Sequence, residues 1–261
     1  MSFKPKKNLG QNFLIDKNII NKIMYAADIG SNDAILEIGP GTGNLTKFIV
    51  SKKPKKIYLV EKDENLANAL EKLYLNQINI LKKDILKIPD KFYFGKKFLI
   101  LGNLPYNIST KILSGWCLNK SLNVSKMILM FQKEVAERIL ANVNSKEYSR
   151  ITILSNWKFN IKKITDVKPN SFFPKPKVHS TVLEFLPKKN YHKIKESKNL
   201  EKITKVFFSQ RRKMIKKPIN ILFKNYQFNY EKFNIKPSHR PQNIDVNKYL
   251  EIVSEYESLV H

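Results

Sequence analysis

Short apolar runs alternate with helix-like segments over residues 34–141, and this alternation is the strongest constraint on the fold. The runs predict strands, and the segments between them predict helices. Strands that alternate with helices form a parallel, doubly wound sheet, because each helix crosses back before the next strand begins. The predicted strands are 34–38, 56–60, 78–81, 98–101 and 127–131, and the predicted helices are 45–50, 63–75, 108–118 and 133–141.

A helix is also predicted before the first strand. Asp16 has a side chain suited to capping a helix N-terminus. Apolar residues then recur on one helical face, at Ile19, Ile20, Ile23, Met24 and Ala27. This face is expected to pack into the core.

The alternation ends near residue 160. Residues 161–167 and 178–185 are strand-like, and a Pro-rich loop over 172–176 separates them. Two strands without a helix between them are expected to pair antiparallel. The sequence therefore predicts a Rossmann-like α/β domain over 1–189, with a mostly parallel sheet and an antiparallel final strand. A small, basic, helical domain is predicted over 190–261.

The net charge indicates a polyanionic partner. The chain has 48 basic and 22 acidic residues, a formal charge of +26. Residues 188–217 are the most basic stretch, with twelve basic and two acidic side chains. A charge of this size and sign favours nucleic acid as the partner.

Composition excludes several other classes. The single cysteine, Cys117, excludes a disulfide framework and a cysteine-based zinc site, and its apolar neighbours predict a buried thiol. The four histidines, at 179, 192, 239 and 261, lack metal-ligand spacing, so no metal is expected. No apolar run approaches the roughly 18 residues of a membrane span. The N-terminus has no apolar signal region, which favours the cytosol.

A glycine-rich turn follows the first predicted strand. Gly39, Gly41 and Gly43 have G-x-G-x-G spacing, and Glu61 ends the second strand 20 residues after Gly41. Glycines let a ligand approach the backbone, and a carboxylate at the second strand can accept both hydroxyls of a ribose. Asp84, after the third strand, lies at the same edge of the sheet and could accept from an adenine amino group. Together these residues predict a nucleoside site.

The sharpest motif is Asn103-Leu104-Pro105-Tyr106, directly after the fourth strand. Pro105 favours an extended Leu104, so that the Asn103 side-chain oxygen and the Leu104 carbonyl can face the same way. Two neighbouring acceptors suit an exocyclic amino group, and the Tyr106 ring offers a stacking face. Acceptance of both amino protons localises the nitrogen lone pair and makes it a better nucleophile.

Several ordered stretches give the chain a specific family resemblance. Together they resemble the rRNA adenine N6,N6-dimethyltransferases, and two of them resemble the small-subunit branch in particular. The stretches are 9–14, 37–45, 60–63, 102–110, 132–138, 172–178 and 208–213.

The resemblance implies a class I methyltransferase that uses S-adenosylmethionine. Its implied targets are two adjacent adenosines near the 3′ end of small-subunit rRNA in an assembling particle, and a monomer is expected. Matched position by position, the implied donor-site residues are Asn12, Leu14, Gly39, Gly41, Glu61, Asp84 and Asn103. The implied catalytic residues are Asn103, Leu104, Pro105, Tyr106 and Phe172, with Phe172 opposite Tyr106 as a second aromatic. Phosphate contacts are expected from Arg211, Arg212 and Lys213.

The chain departs from the family pattern in the small domain. Pro218 is expected to kink or end the helix after Lys213. The family's Arg-Ala-Glu element is replaced by Arg240-Pro241-Gln242-Asn243. Three alternatives stay open: a large-subunit rRNA methyltransferase that confers macrolide resistance, a DNA adenine methyltransferase, and a non-catalytic nucleic-acid-binding relative.

Overall fold

A mixed seven-stranded sheet is the main feature of the first of two units. The computed structural model describes residues 5–6 and 10–259. The first unit runs to Ile112 and includes residues 121–136 and 160–187. The second comprises residues 113–120, 137–159 and the chain from Lys188 onward. The second unit thus takes in two segments that precede the boundary expected near residue 190.

Strands and helices follow one another largely as the sequence predicts. The strands are β1 (Phe13–Leu14), β2 (Ala34–Ile38), β3 (Lys56–Glu61), β4 (Asn79–Lys82), β5 (Lys97–Asn103), β6 (Asn123–Gln132), β7 (Phe159–Val167), β8 (Phe172–Phe173) and β9 (Ser180–Pro187). The helices are α1 (Lys17–Ala27), α2 (Thr46–Ser51), α3 (Glu64–Leu73), α4 (Ser109–Leu118), α5 (Lys133–Ile139), α6 (Arg150–Lys158), α7 (Ser197–Ser209), α8 (Lys216–Leu222) and α9 (Val246–Leu259). Within the described residues, no helix is both long and apolar enough to cross a membrane.

The large sheet has the order β4-β3-β2-β5-β6-β9-β7. The pairs from β4 to β6 are parallel, and β9 pairs with β6 antiparallel. The mostly parallel sheet with an antiparallel final strand is therefore confirmed. The strand order turns back between β2 and β5, and ligands of such sheets bind in the crevice at that point.

The helix predicted after Asp16 is confirmed in detail. The Asp16 carboxylate accepts from the backbone N–H groups of Asn18 and Ile19, which satisfies two otherwise unpaired donors of the first turn. The five apolar residues predicted to share a face are all buried. They join the hydrophobic core that covers one side of the sheet.

Two elements escape the sequence prediction. Six of the nine residues of α6 are buried, polar and apolar alike, so the helix has no amphipathic pattern to detect. The other element is a two-stranded antiparallel sheet of β1 and β8, in which Phe13 pairs with Phe173 and Leu14 with Phe172. These strands have two residues each, too few for an alternating pattern, and β8 lies where the sequence predicts a loop.

The second unit is helical, as predicted for the C-terminal region, and α6, α7 and α9 pack against one another. The expectation for Pro218 is wrong. Helix α7 ends at Ser209, and Pro218 lies in the first turn of α8, which begins at Lys216. A proline is tolerated there because the first backbone N–H groups of a helix have no partner within it.

Glu37 is a buried acid within β2. It is 2% exposed, and its Oε2 accepts a 2.8 Å hydrogen bond from the Thr46 hydroxyl of α2. Burial raises the pKa of Glu37 to about 8, and the nearby Glu61 carboxylate adds to this rise while the Thr46 hydrogen bond opposes it. The Glu37 side chain is therefore mostly protonated at neutral pH, which avoids a buried charge.

The raised pKa makes stability depend on pH. Between its ordinary value of 4.5 and about 8, the folded protein holds a proton on Glu37 that the unfolded chain releases. The stability from this group is complete below the lower value and is lost as pH rises through that window. We predict that wild type loses at least about 1 kcal/mol of unfolding free energy relative to Glu37→Gln across the window.

Urea denaturation of both proteins from about pH 5 to about pH 9 measures this difference. Glu64→Gln is the matched control, because it removes a carboxylate from an exposed position. Parallel stability curves for wild type and Glu37→Gln would contradict the assignment.

Candidate active site

The carboxyl ends of β2 and β5 open into one pocket. Ile38 and Gly102 are register partners, so the loops that leave these two strands begin side by side. The pocket brings together most residues that the sequence predicts for a nucleoside site. Its lining comes from residues 10–14, 37–42, 44–45, 60–62, 83–85 and 102–108, with Ile23, Ile128, Met130 and Val182.

The glycine-rich loop is bare where it meets the N-terminal segment, defined here as residues 10–14. Gly41 has a φ of +58°, and a Cβ there would lie 2.7 Å from the Phe13 ring. Both the left-handed backbone and the close ring therefore require glycine. Leu9, which belongs to the same family-like stretch, lies outside the described residues.

Glu61 connects this loop to the end of β3. Its Oε2 accepts from the Gly41 N–H at 3.1 Å, and its Oε1 accepts from the Asp63 N–H at 2.8 Å. The side chain lines the pocket and is 7% exposed. Burial raises the pKa of Glu61, and the two N–H groups oppose that rise.

Asp84 lies beyond the end of β4 at the same edge of the pocket. One oxygen accepts from the Leu86 N–H at 3.0 Å, and the other pairs with the Lys62 ammonium at 3.1 Å. Burial works against ionisation of Asp84, but these partners outweigh it and lower the pKa of the carboxyl. The pocket therefore has an ionised acceptor at this end.

The N-terminal segment is attached to three different loops of the sheet. Gln11 donates from Nε2 to Asp63 at 3.0 Å, after β3. The Leu14 carbonyl accepts from Asn44 Nδ2 at 2.8 Å, in the loop after β2. The Asn12 carbonyl accepts from Asn103 Nδ2 at 2.7 Å, at the end of β5. The segment thus covers the pocket by specific contacts.

The Asn103 amide is oriented by this last hydrogen bond. Since its nitrogen donates to Asn12, its oxygen points the opposite way and can accept from another group. Leu104 is 1% exposed, so its apolar side chain anchors the backbone that presents the neighbouring carbonyl. Asn103, Leu104 and Pro105 all line the pocket.

Tyr106 is fixed from the opposite side of the motif. Its hydroxyl is hydrogen-bonded to the Ser180 hydroxyl on β9 at 2.5 Å. Burial raises the pKa of Tyr106, and the Ser180 hydrogen bond opposes that rise. The phenol is therefore neutral at physiological pH, and its half-buried ring lines the pocket.

The structure does not place Phe172 on the pocket wall. The ring is 3% exposed and belongs to the hydrophobic core with Leu14, its register partner. The next residue, Phe173, is 58% exposed. Neighbouring residues of a strand point to opposite faces, so pairing with β1 turns Phe172 inward and Phe173 outward.

The three basic residues predicted for RNA binding lie in the second unit and differ in their contacts. The Arg211 guanidinium donates to the backbone carbonyls of Ser145 and Lys146 within the same unit. Arg212 and Lys213 are exposed. Arg211 is therefore held within the fold, and the other two side chains face solvent.

Cys117 is buried as predicted, with 0% exposure, and burial raises the pKa of its thiol to about 12. Such a thiol is inert, since the thiolate is the reactive form. Among residues 5–6 and 10–259, no three His, Cys, Asp or Glu side chains form a group that could hold a metal.

Sequence reasoning missed three residues that shape the pocket. Gln11 and Ser180 act through partners far along the chain, and no local pattern identifies such contacts. Glu37 had a detectable signal, because it is the one charged residue in the otherwise apolar run of β2. An acid inside a buried strand indicates either a partner or a raised pKa.

Comparison with known proteins agrees with the geometry. A family model described as ribosomal RNA adenine dimethylase matches residues 2–258. Ribosomal RNA small subunit methyltransferase A of Pelagibacter ubique (strain HTCC1062) is 52% identical over 261 residues, with 99% of each chain covered. The protein of the same name from Malacoplasma penetrans (strain HF-2) is 39% identical, with 98% of this chain and 94% of the relative covered.

Solved structures show the same similarity. A dimethyladenosine transferase from Plasmodium falciparum has a TM-score of 0.78 at 28% identity, with 95% of this chain and 98% of that chain covered. The 23S rRNA methyltransferase ErmE has a TM-score of 0.67 at 22% identity, with 96% and 100% covered, a likeness of fold alone. With the family match over nearly the whole sequence, this chain belongs to the ribosomal RNA adenine dimethylase family.

Proposed function

We propose that this enzyme methylates the N6 amino groups of two adjacent adenosines near the 3′ end of small-subunit rRNA, twice each. The observation that carries the proposal is the oriented Asn103 amide at the end of β5, in a chain 52% identical to a small subunit methyltransferase. The large-subunit alternative has weaker support, since its structural neighbour is 22% identical. A non-catalytic role is not favoured, because the acceptors and the donor-site carboxylates are all present.

The pocket fits S-adenosylmethionine, the methyl donor of this family. That molecule presents donors at its ribose hydroxyls and its adenine amino group, and it carries a positive sulfonium. The carboxylates of Glu61 and Asp84 supply matching acceptors at the ends of β3 and β4. The positive φ values of Gly39 and Gly41 leave the loop open to close approach. We assign Asn12 and Leu14 to the cover over the donor.

When bound, the donor supplies a methyl carbon whose bond to sulfur breaks, with its electron pair, as the bond to N6 forms. The protein aligns the groups and polarises the amino group. Asn103 Oδ1 and the Leu104 carbonyl accept the two N–H protons, and Tyr106 stacks on the base. The proton released from N6 after transfer goes to solvent.

The adenine leaves its stack in the RNA to reach this pocket. Stacking on an aromatic side chain is worth about 1–3 kcal/mol per base, which offsets much of that cost. Tyr106 is held ready by Ser180, so little freedom is lost when the base arrives. Phe172 would need to leave the core to act as the second aromatic.

The division of labour follows the distribution of charge. We assign donor binding and chemistry to residues 1–189, and rRNA docking to the basic C-terminal region, 190–261. Arg212 and Lys213 are assigned to phosphate contacts, and Arg211 to support of the loop at Ser145. We further propose a cytoplasmic, metal-independent monomer, since one chain supplies the entire pocket lining.

Mass spectrometry of small-subunit rRNA from cells with and without the gene tests the proposed function. Loss of dimethyladenosine at two neighbouring sites is expected on deletion, with restoration by the intact gene. Persistence of both modified residues would contradict the proposal.

Asn103→Ala is predicted to slow methyl transfer by about a hundredfold, because one preorganised acceptor is lost. Donor binding is expected to be retained, since the Glu61 and Asp84 contacts stay. Single-turnover methylation of unmethylated small subunits measures the rate. Asn123→Ala, at an exposed position of β6, is the matched control. Turnover of Asn103→Ala near the control rate would overturn the catalytic assignment.

Glu61→Gln is predicted to weaken S-adenosylmethionine binding by at least about tenfold, because a charged acceptor of the ribose hydroxyls becomes neutral. Calorimetry gives the dissociation constant, and circular dichroism confirms that the fold persists. Glu64→Gln serves again as the control. Equal affinities for both variants would assign Glu61 to a purely structural role.

Replacement of both Arg212 and Lys213 by alanine is predicted to flatten the plot of log affinity for rRNA against log salt. Each lost phosphate contact should change the slope by about 0.7–0.9. Arg211→Ala should instead lower the thermal melting temperature, because the carbonyls of Ser145 and Lys146 lose their donor. An equal slope change for Arg211→Ala would mean that Arg211 also contacts phosphate.

A further inference from the structure

The wall of the pocket beside Asn103 is apolar. Asn103 on β5 is the register partner of Met130 on β6, and Met130 is the register partner of Val182 on β9. Register partners project from the same face of a sheet, so the three side chains form a row. All three line the pocket, with Met130 2% exposed and Val182 0% exposed.

The N-terminal segment completes this wall. Leu14 is 6% exposed, lines the same pocket and belongs to the same hydrophobic cluster as Met130 and Val182. Its backbone is fixed by the hydrogen bond from Asn44. The apolar wall (Leu14, Met130 and Val182) thus adjoins an amide that accepts from an amino group. Donor binding and the first transfer, as described above, make no use of it.

We infer that the apolar wall receives the methyl group of N6-methyladenosine between the two transfers, and thereby allows dimethylation. The inference rests on the proposed function. After the first transfer, N6 carries one methyl group and one hydrogen. The hydrogen still needs an acceptor, whereas a methyl group held against an acceptor would leave that acceptor unpaired. An apolar surface beside Asn103 gives the methyl group a place that costs no hydrogen bond.

The second transfer then balances as the first does. The N6 lone pair forms a bond to the methyl carbon of a second donor, and the carbon–sulfur bond breaks with its electrons on sulfur. The remaining N–H proton leaves for solvent, which gives neutral dimethyladenosine and a neutral thioether. Only the second transfer requires space for a methyl group already on N6, so loss of that space should act on the second transfer selectively.

Val182 is the best position for a test. Its branched side chain is stiff, whereas Met130 can move aside. Val182→Leu adds one methylene to the wall, and one methylene in an apolar pocket discriminates by about 10–200-fold. Val182→Thr keeps the shape and adds a hydroxyl. Val124→Leu is the matched control, because it makes the same change at a position of β6 that is 7% exposed and does not line the pocket.

The experiment follows methylation of unmethylated small-subunit particles by the full-length chain with S-adenosylmethionine. Mass spectrometry of digested rRNA gives monomethyl- and dimethyladenosine over time. Wild type and Val124→Leu should yield dimethyladenosine. Val182→Leu should accumulate monomethyladenosine, with the ratio of second to first transfer rate reduced at least about tenfold. Val182→Thr should shift the ratio in the same direction.

The outcomes are distinguishable. An unchanged ratio for Val182→Leu overturns the inference, and so does an equal shift in Val124→Leu. If Val182→Leu does not fold, an unchanged ratio for the isosteric Val182→Thr overturns it. Failure of wild type to methylate N6 at all would refute the proposed function itself.

Discussion

The reversal of strand order between β2 and β5 determines where every functional group of the first unit lies. Because β2 and β5 are parallel neighbours, the glycine-rich loop and the Asn103 motif leave the sheet at the same edge. A Cβ at Gly39 would lie 3.7 Å from the Asn103 carbonyl. The donor loop and the catalytic motif are therefore in contact through their backbones, and neither position depends on a flexible side chain.

The N-terminal segment adds a second constraint to this edge. Its hydrogen bonds reach the loops after β2 and β3 and the end of β5. The bond from Asn103 to the Asn12 carbonyl has the largest consequence, because it fixes which way the Asn103 oxygen points. Movement of Asn12 away from the sheet removes the partner that orients that amide. Coverage of the donor and alignment of the acceptor thus depend on the same few residues.

The sequence predicts those features whose signal is local. The strands, the helix after Asp16, the glycine-rich loop and the Asn103 motif are each recognised within about ten neighbouring residues, and the structure has all of them. The β1–β8 pairing could not be predicted, since its two strands are 157 residues apart in the register of Leu14 and Phe172. The same distant pairing buries Phe172. Arg211 has an ordinary basic context in sequence, and only the fold brings it to the Ser145 carbonyl.

Charge is separated within the molecule in a way that suits two oppositely charged ligands. The chain carries +26 overall, yet three of the five ionisable Asp, Glu and Lys residues that line the pocket are acids, Glu37, Glu61 and Asp84. Of the pocket lysines, Lys62 is paired with Asp84 at 3.1 Å, which leaves little positive charge directed at the site. A cationic sulfonium is thus favoured where the carboxylates converge, and an anionic RNA backbone is favoured on the basic surface. Since phosphate is disfavoured inside the pocket, the neutral base is the part of the RNA that can enter.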